Sequence, residues 1–214
     1  MTTGRAANRG AALLTGIRAV LFDCDGVLAD SEGPVNAIVA EELTARGWPM
    51  DAHAAEREFL GLALPDMLPR IVARVGPLPP DWPMALSARI QRELVERLQP
   101  IPGAVAAVGR VAALGLPMAV CSNSAREELR MKLGVLGLSG FFGDRVFSFQ
   151  DVARPKPAPD LYLAAAAACG VPPGECLVVE DSAPGIVAGL AAGCRVVSVV
   201  EGLGVPVVGM DALG

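Results

Sequence analysis

The segment Leu21-Phe22-Asp23-Cys24-Asp25-Gly26-Val27 constrains this chain more than any other. An apolar run over residues 17–22 leads directly into two carboxylates one residue apart, and a glycine follows. Such a run reads as a buried strand. Ending it in paired acids is costly unless a cation or an acid–base task awaits them. The glycine lets the backbone turn tightly and approach a ligand closely. In an open α/β sheet, ligands bind at the carboxyl ends of the strands. The arrangement suggests an aspartate nucleophile, Asp23, beside an aspartate acid/base, Asp25.

Alternation of strand and helix patterns extends the argument along the chain. After the first strand, residues 31–99 carry helical patterns (35–46, 54–60, 66–75 and 84–98) and no convincing strand. They read as a small helical module, left through a Pro/Gly-rich hinge, Gln99-Pro100-Ile101-Pro102-Gly103. Beyond the hinge, helix is expected over 104–114, 125–136, 159–169 and 183–192. Strand is expected over 117–121, 145–148, 177–179 and 195–200. This order implies a doubly wound parallel sheet with helices on both faces. The expected domains are a core of residues 17–30 and 99–214, an inserted helical domain of residues 31–98, and a frayed N-terminus of residues 1–16. Residues 201–214 have room for little more than a final strand and turn.

Composition agrees and excludes some partners. The chain of 214 residues is 52% apolar but only 4% aromatic, as suits buried parallel strands rich in small aliphatic residues. A net charge of −5 without a basic run argues against a nucleic-acid surface. No apolar stretch reaches transmembrane length uninterrupted. The five cysteines are odd in number and form no C-x-x-C, so they read as reduced, buried residues of a cytoplasmic protein. A catalytic role for Cys24 is disfavoured because the flanking carboxylates suppress its thiolate. Only two lysines occur, Lys132 and Lys156, in a chain that otherwise uses arginine. A lysine's compact charge suits a phosphate.

Later strands also end in polar clusters. Ala119-Val120-Cys121 runs into Ser122-Asn123-Ser124, and Leu177-Val178-Val179 into Glu180-Asp181-Ser182. Between them Lys156 stands between two prolines in Arg154-Pro155-Lys156-Pro157. Taken singly, each has a plainer explanation: a helix cap for the serine clusters, a solvated loop for the lysine. An EF-hand is excluded, because Gly26 is fourth from Asp23 and Val27 falls on a ligand position. Parallel strands deliver their carboxyl ends to one edge, so the clusters converge on one crevice. Gathered there, Asp23, Asp25, Glu180 and Asp181 require a hard divalent cation, for which Mg²⁺ is suited. With Lys156 and the Ser122 hydroxyl, Mg²⁺ would neutralise the oxygens of a transferring phosphoryl group.

With these residues in view, the chain resembles the phosphatase-type members of the haloacid dehalogenase (HAD) superfamily. Asp23-Cys24-Asp25-Gly26-Val27-Leu28 resembles motif I, Ser122-Asn123 motif II, Lys156 motif III and Glu180-Asp181 motif IV. Lys156-Pro157-Ala158-Pro159-Asp160 and the residues after Glu180 are similar to the subgroup of β-phosphoglucomutase, phosphoglycolate phosphatase and sugar-phosphate phosphatases. The resemblance implies a HAD-like core with a mobile helical cap, Asp23 as nucleophile and metal ligand, and Asp25 as acid/base with its main-chain carbonyl on Mg²⁺. It implies Asp181 as a metal ligand and Glu180 as a direct or water-mediated one. Ser122 and Lys156 would hold the phosphoryl group, with Asn123 and Gly26 lining the same pocket. A two-component receiver domain also joins acids, a hydroxyl and a lysine, but there the lysine comes last and no helical insert occurs.

The resemblance leaves hydrolase, mutase and a catalytically silent binding protein as alternatives. In β-phosphoglucomutase the cap supplies a histidine soon after motif I and basic residues on a gripping segment. Here residues 31–36 hold no histidine, the sole one being His53, and leucines (Leu60, Leu62, Leu64) stand where the basic residues are expected. Hydrolysis of a small phosphate ester is therefore favoured. Arg126 is expected to be solvated rather than to contact substrate. A monomer is expected, with neither nucleic acid nor membrane as partner.

Overall fold

The computed structural model describes residues 13–59 and 64–213. Most of the expected frayed N-terminus, and Leu60 and Leu62 of the expected gripping segment, lie outside the described residues. Two compact units emerge, one of residues up to Ala29 together with Gln99 onward, the other Asp30–Leu98.

The first unit is built on a five-stranded parallel sheet. Its strands are β1 (Ala19–Phe22), β2 (Met118–Ser122), β3 (Val146–Ser148), β4 (Cys176–Glu180) and β5 (Arg195–Ser198). Their spatial order is β3-β2-β1-β4-β5. Every residue of β1, β2 and β4 is buried, the signature of central strands covered on both faces. The flanking strands β3 and β5 are partly exposed. Side chains alternate between faces, as the strand period of two requires. Ala19, Leu21, Ala119, Cys121, Val178 and Val196 pack with Leu161, Tyr162, Ala165, Ile186 and Ala188 of two flanking helices. On the other face Phe22 meets Phe142 edge to face at 6.2 Å.

The helices of this unit are α5 (Ala104–Ala113), α6 (Arg126–Val135), α7 (Ser139–Phe142), α8 (Asp160–Cys169) and α9 (Ala183–Ala191). Among the described residues no strand follows β5: an isolated bridge joins Ser198 to Val207, and Arg110 of α5 donates to the carbonyls of Leu213 (2.9 Å) and Met210 (2.5 Å). Both Met210 and Leu213 are buried, so the segment after β5 covers apolar surface. All five cysteines are free; Cys169 is half-buried and the others are buried.

The second unit is helical: α1 (Glu32–Ala45), α2 (Ala52–Phe59), α3 (Leu64–Val75) and α4 (Trp82–Arg97). Its core gathers Ile38, Val39, Leu43, Phe59, Ile71, Trp82 and Leu86, with Leu64 packed against it. Arg89 on α4 pairs with Glu41, Glu42 and Glu93, and Arg97 with Glu41 and Glu93. Among the described residues, no helix is long and apolar enough to cross a membrane.

Candidate active site

Strand order places the crevice. The chain runs from β1 outward to β2 and β3, then returns to lay β4 and β5 on the other side of β1. The switch point lies between β1 and β4, where such sheets bind ligands. Phe22 is in register with Val120 of β2 and Val179 of β4. Asp23, Ser122 and Glu180 therefore leave the sheet at the same edge. The amide of Asp23 extends the ladder by donating to the Val179 carbonyl (3.0 Å). After it the chain turns tightly: the Cys24 carbonyl accepts from the amides of Leu28 and Ala29, both at 2.8 Å.

Glycine is required in this turn for two reasons. Gly26 has φ +75°, and a Cβ there would lie 1.8 Å from Oδ2 of Asp181. Gly26, read from sequence as lining the substrate pocket, thus makes room for an acid of the β4 cluster. Gly185 does the same for the neighbouring acid: a Cβ there would lie 1.7 Å from Oε1 of Glu180.

Lys156 joins the acids. Its ammonium donates to Oδ1 of Asp23 (2.5 Å), Oε1 of Glu180 (2.6 Å) and the Cys121 carbonyl (2.8 Å). It also stands 4.9 Å from the ring centroid of Tyr162. A buried ammonium is tolerable only with partners of this quality. Asn123 fixes the loop that carries it, donating from Nδ2 to the Lys156 carbonyl and accepting the Lys156 amide on Oδ1, both at 3.1 Å. Asn123, expected to line the pocket, thus acts in this structure as a brace for the lysine.

Both oxygens of Glu180 are engaged. Oε1 accepts from Lys156 and from the Tyr162 hydroxyl (2.7 Å). Oε2 accepts from the amides of Asp181 (3.0 Å) and Ser182 (3.1 Å) and the Ser182 hydroxyl (2.9 Å). Burial acts to raise the Glu180 carboxyl, but Lys156 and these donors outweigh it and hold the group below the usual carboxylate range. Asp23 goes the other way. Burial, opposed by Lys156 and reinforced by the charge of Glu180, pushes it up to about 8. The single ammonium of Lys156 thus does not offset the burial of Asp23. Asp23, Glu180 and Asp181 each offer a carboxylate oxygen, all within 4.8 Å of one another. Hard oxygen donors with an unmet demand for positive charge fit a divalent cation such as Mg²⁺.

Asp25 sits in a neighbouring cluster. Its Oδ2 accepts from the hydroxyls of Ser124 (2.8 Å) and Ser122 (3.4 Å), and its Oδ1 from Lys132 (2.5 Å). The Ser124 amide donates to Ser122 Oγ at 2.9 Å, which folds the turn after β2 around Asp25. Cys24, between the two aspartates, is fully buried. Burial and the charges of Asp25 and Asp23 push its thiol well above its ordinary range, so it has no nucleophilic thiolate.

Sequence reasoning missed Lys132 and Tyr162 in these clusters, and it placed Ser124 at the crevice without a role of its own. The scarcity of lysine marked Lys132, but no spacing rule ties a residue inside α6 to Asp25. Tyr162 is the chain's single tyrosine and lies inside the apolar pattern of α8. Arg126 is ion-paired to Asp151 at 2.5 Å. His53 is exposed on α2 beside Glu56.

Known proteins share this architecture. The family description haloacid dehalogenase-like hydrolase matches residues 17–193. The 6-phosphogluconate phosphatase of Escherichia coli K12 is 31% identical over 182 residues, covering 84% of this chain and 81% of that protein. A HAD family hydrolase from Deinococcus radiodurans R1, solved with bound phosphate and sodium, superposes with a TM-score of 0.77 at 35% identity, covering 93% of this chain and 89% of that one. A putative β-phosphoglucomutase from Thermotoga maritima gives a TM-score of 0.76 at 26% identity, with 87% of each chain covered.

Proposed function

Because this chain belongs to the haloacid dehalogenase-like hydrolases, and is a phosphatase among them, we propose that it is a Mg²⁺-dependent phosphomonoesterase working through an aspartyl-phosphate on Asp23. The observation that carries the reading is the Asp23–Lys156–Glu180 cluster with Asp181 beside it. It offers a carboxyl nucleophile that a bound divalent cation would keep ionised, a fixed ammonium and a set of hard oxygen ligands at the switch point of the sheet.

A carboxylate oxygen of Asp23 attacks phosphorus while the ester P–O bond breaks, and Asp25 gives a proton to the departing alkoxide. Asp25 then takes a proton from the water that attacks the aspartyl-phosphate. The P–O bond to Asp23 breaks, releasing phosphate and the free carboxylate. Lys156 and the Ser122 hydroxyl hold the phosphoryl oxygens. Asp23, Asp181 and the main-chain carbonyl of Asp25 would hold Mg²⁺, with Glu180, whose oxygens already accept bonds from both sides, contributing through water. When bound, the ion supplies positive charge against the phosphoryl oxygens.

The substrate class is a small phosphometabolite such as a sugar phosphate or phosphoglycolate. The likeness to a 6-phosphogluconate phosphatase supports this. The unit Asp30–Leu98 serves as the cap that admits the ester. The enzyme works as a cytoplasmic monomer without nucleic acid or membrane, in keeping with its net charge of −5. Hydrolysis is preferred over mutase chemistry because residues 31–36 carry no histidine and Leu64 packs into the core of its own unit.

The test is phosphate release from a panel of phosphoglycolate, hexose phosphates and 6-phosphogluconate, with Mg²⁺ and with chelator. Metal-dependent release is expected. Interconversion of a hexose 1-phosphate and 6-phosphate without free phosphate would replace the hydrolase by a mutase. Silence on the whole panel would favour a binding protein.

A further inference from the structure

Lys132 is a buried cation to which the reaction above gives no task. It lies in the last turn of α6 and is 2% exposed. Its ammonium reaches Oδ1 of Asp25 and Oε1 of Glu128, each at 2.5 Å, and donates to Ser124 Oγ at 3.3 Å. Packing does not ask for an ammonium here. The neighbouring inward positions of α6, Leu129 and Leu133, are apolar, and burying a charge is costly. Glu128, one turn back on the same helix, would pair equally well with a solvated lysine. The contact that requires Lys132 to come inward is the one with Asp25.

That contact completes a hold on both oxygens of Asp25. Lys132 takes Oδ1; the Ser124 and Ser122 hydroxyls take Oδ2. Ser124 also accepts from Lys132, so ammonium, hydroxyl and carboxylate close a ring. A carboxyl gripped on both sides has its plane fixed, and proton transfer to a leaving oxygen depends on that direction. We propose that Lys132 is a positioning residue that, with Ser124, orients the Asp25 carboxyl for proton transfer without touching the substrate. The proposal rests on the phosphatase reading with Asp25 as acid/base.

The test compares kcat/KM for an alkyl phosphate, whose leaving group needs a proton, with that for p-nitrophenyl phosphate, whose leaving group does not. This parameter reports the steps through phosphoryl transfer to the enzyme. In Lys132→Gln the alkyl-to-aryl ratio should fall about tenfold or more, the scale of a misplaced general acid. Lys132→Arg, which keeps the cation, should recover part of it. Ser124→Ala, a small change at a partly buried site, should lower the ratio in the same direction by less. An equal fall on both substrates with no recovery in Lys132→Arg means a structural lysine and overturns the proposal. So does an unchanged or raised ratio. If Lys132→Gln does not fold, an unchanged ratio in Ser124→Ala overturns it alone. Failure of the wild type on both esters removes the phosphatase reading, and this inference with it, before any variant is made.

Discussion

Asp181 fits where it does only because Gly26 has no side chain. Gly26→Ala would set a methyl 1.8 Å from the Asp181 carboxylate and force φ +75° on an L-residue. We expect a loss of Mg²⁺-dependent turnover and a stability cost of about 1–3 kcal/mol, measured by metal titration and denaturant unfolding. Tyr162→Phe leaves Oε1 of Glu180 with Lys156 as donor but removes the hydroxyl at 2.7 Å. It should cost about 1 kcal/mol in unfolding free energy. At this scale the sequence was legible where a polar residue directly follows an apolar strand: Asp23, Ser122, Glu180 and Asp181. Lys156 was legible from its flanking prolines. Lys132 and Tyr162 were not, because they reach the clusters from within helices. There the periodicity says which face is buried, not what lies across from it.

Elements were read well in kind and loosely at their ends. The first strand, expected over 17–22, begins at Ala19, and the last, expected over 195–200, stops at Ser198. Helix α7 went unread because four residues carry too little period to detect. So did the 3₁₀ turn Phe149–Asp151 after β3. There the Ser148 hydroxyl accepts from the Gln150 amide, and Asp151 accepts the Ser148 amide at 2.8 Å. Ser148→Ala should therefore cost about 1 kcal/mol. Burial acts to raise the Asp151 carboxyl, but the Ser148 donors and Arg126 outweigh it and hold it below its ordinary value. Because the folded value is the lower one, Asp151 stabilises the fold above the unfolded value of about 4 and stops doing so as pH falls through the folded one. The melting-temperature gap between wild type and Asp151→Ala should be full at neutral pH and close in acid.

Across the whole molecule, the alternation of apolar runs with helical patterns is by itself enough to predict the parallel sheet. The order β3-β2-β1-β4-β5 then explains why residues more than a hundred positions apart share one crevice. What the pattern could not supply is the charge state of that crevice. Burial raises Asp23 to about 8 against the pull of Lys156. A cation that binds only the folded chain should therefore stabilise it, by about 2.7 kcal/mol at a hundred times its dissociation constant. Mg²⁺ should raise the melting temperature of the wild type, and Asp181→Asn should reduce that shift. The central claim is the covalent intermediate on Asp23. Its most direct test is acid quenching during turnover of p-nitrophenyl phosphate with Mg²⁺, followed by mass spectrometry of the peptide holding residues 19–30. The account predicts a phosphoryl group on Asp23 in the wild type and neither label nor turnover in Asp23→Asn. Phosphate release by Asp23→Asn at the wild-type rate, or turnover by the wild type with the label on another residue, would contradict it.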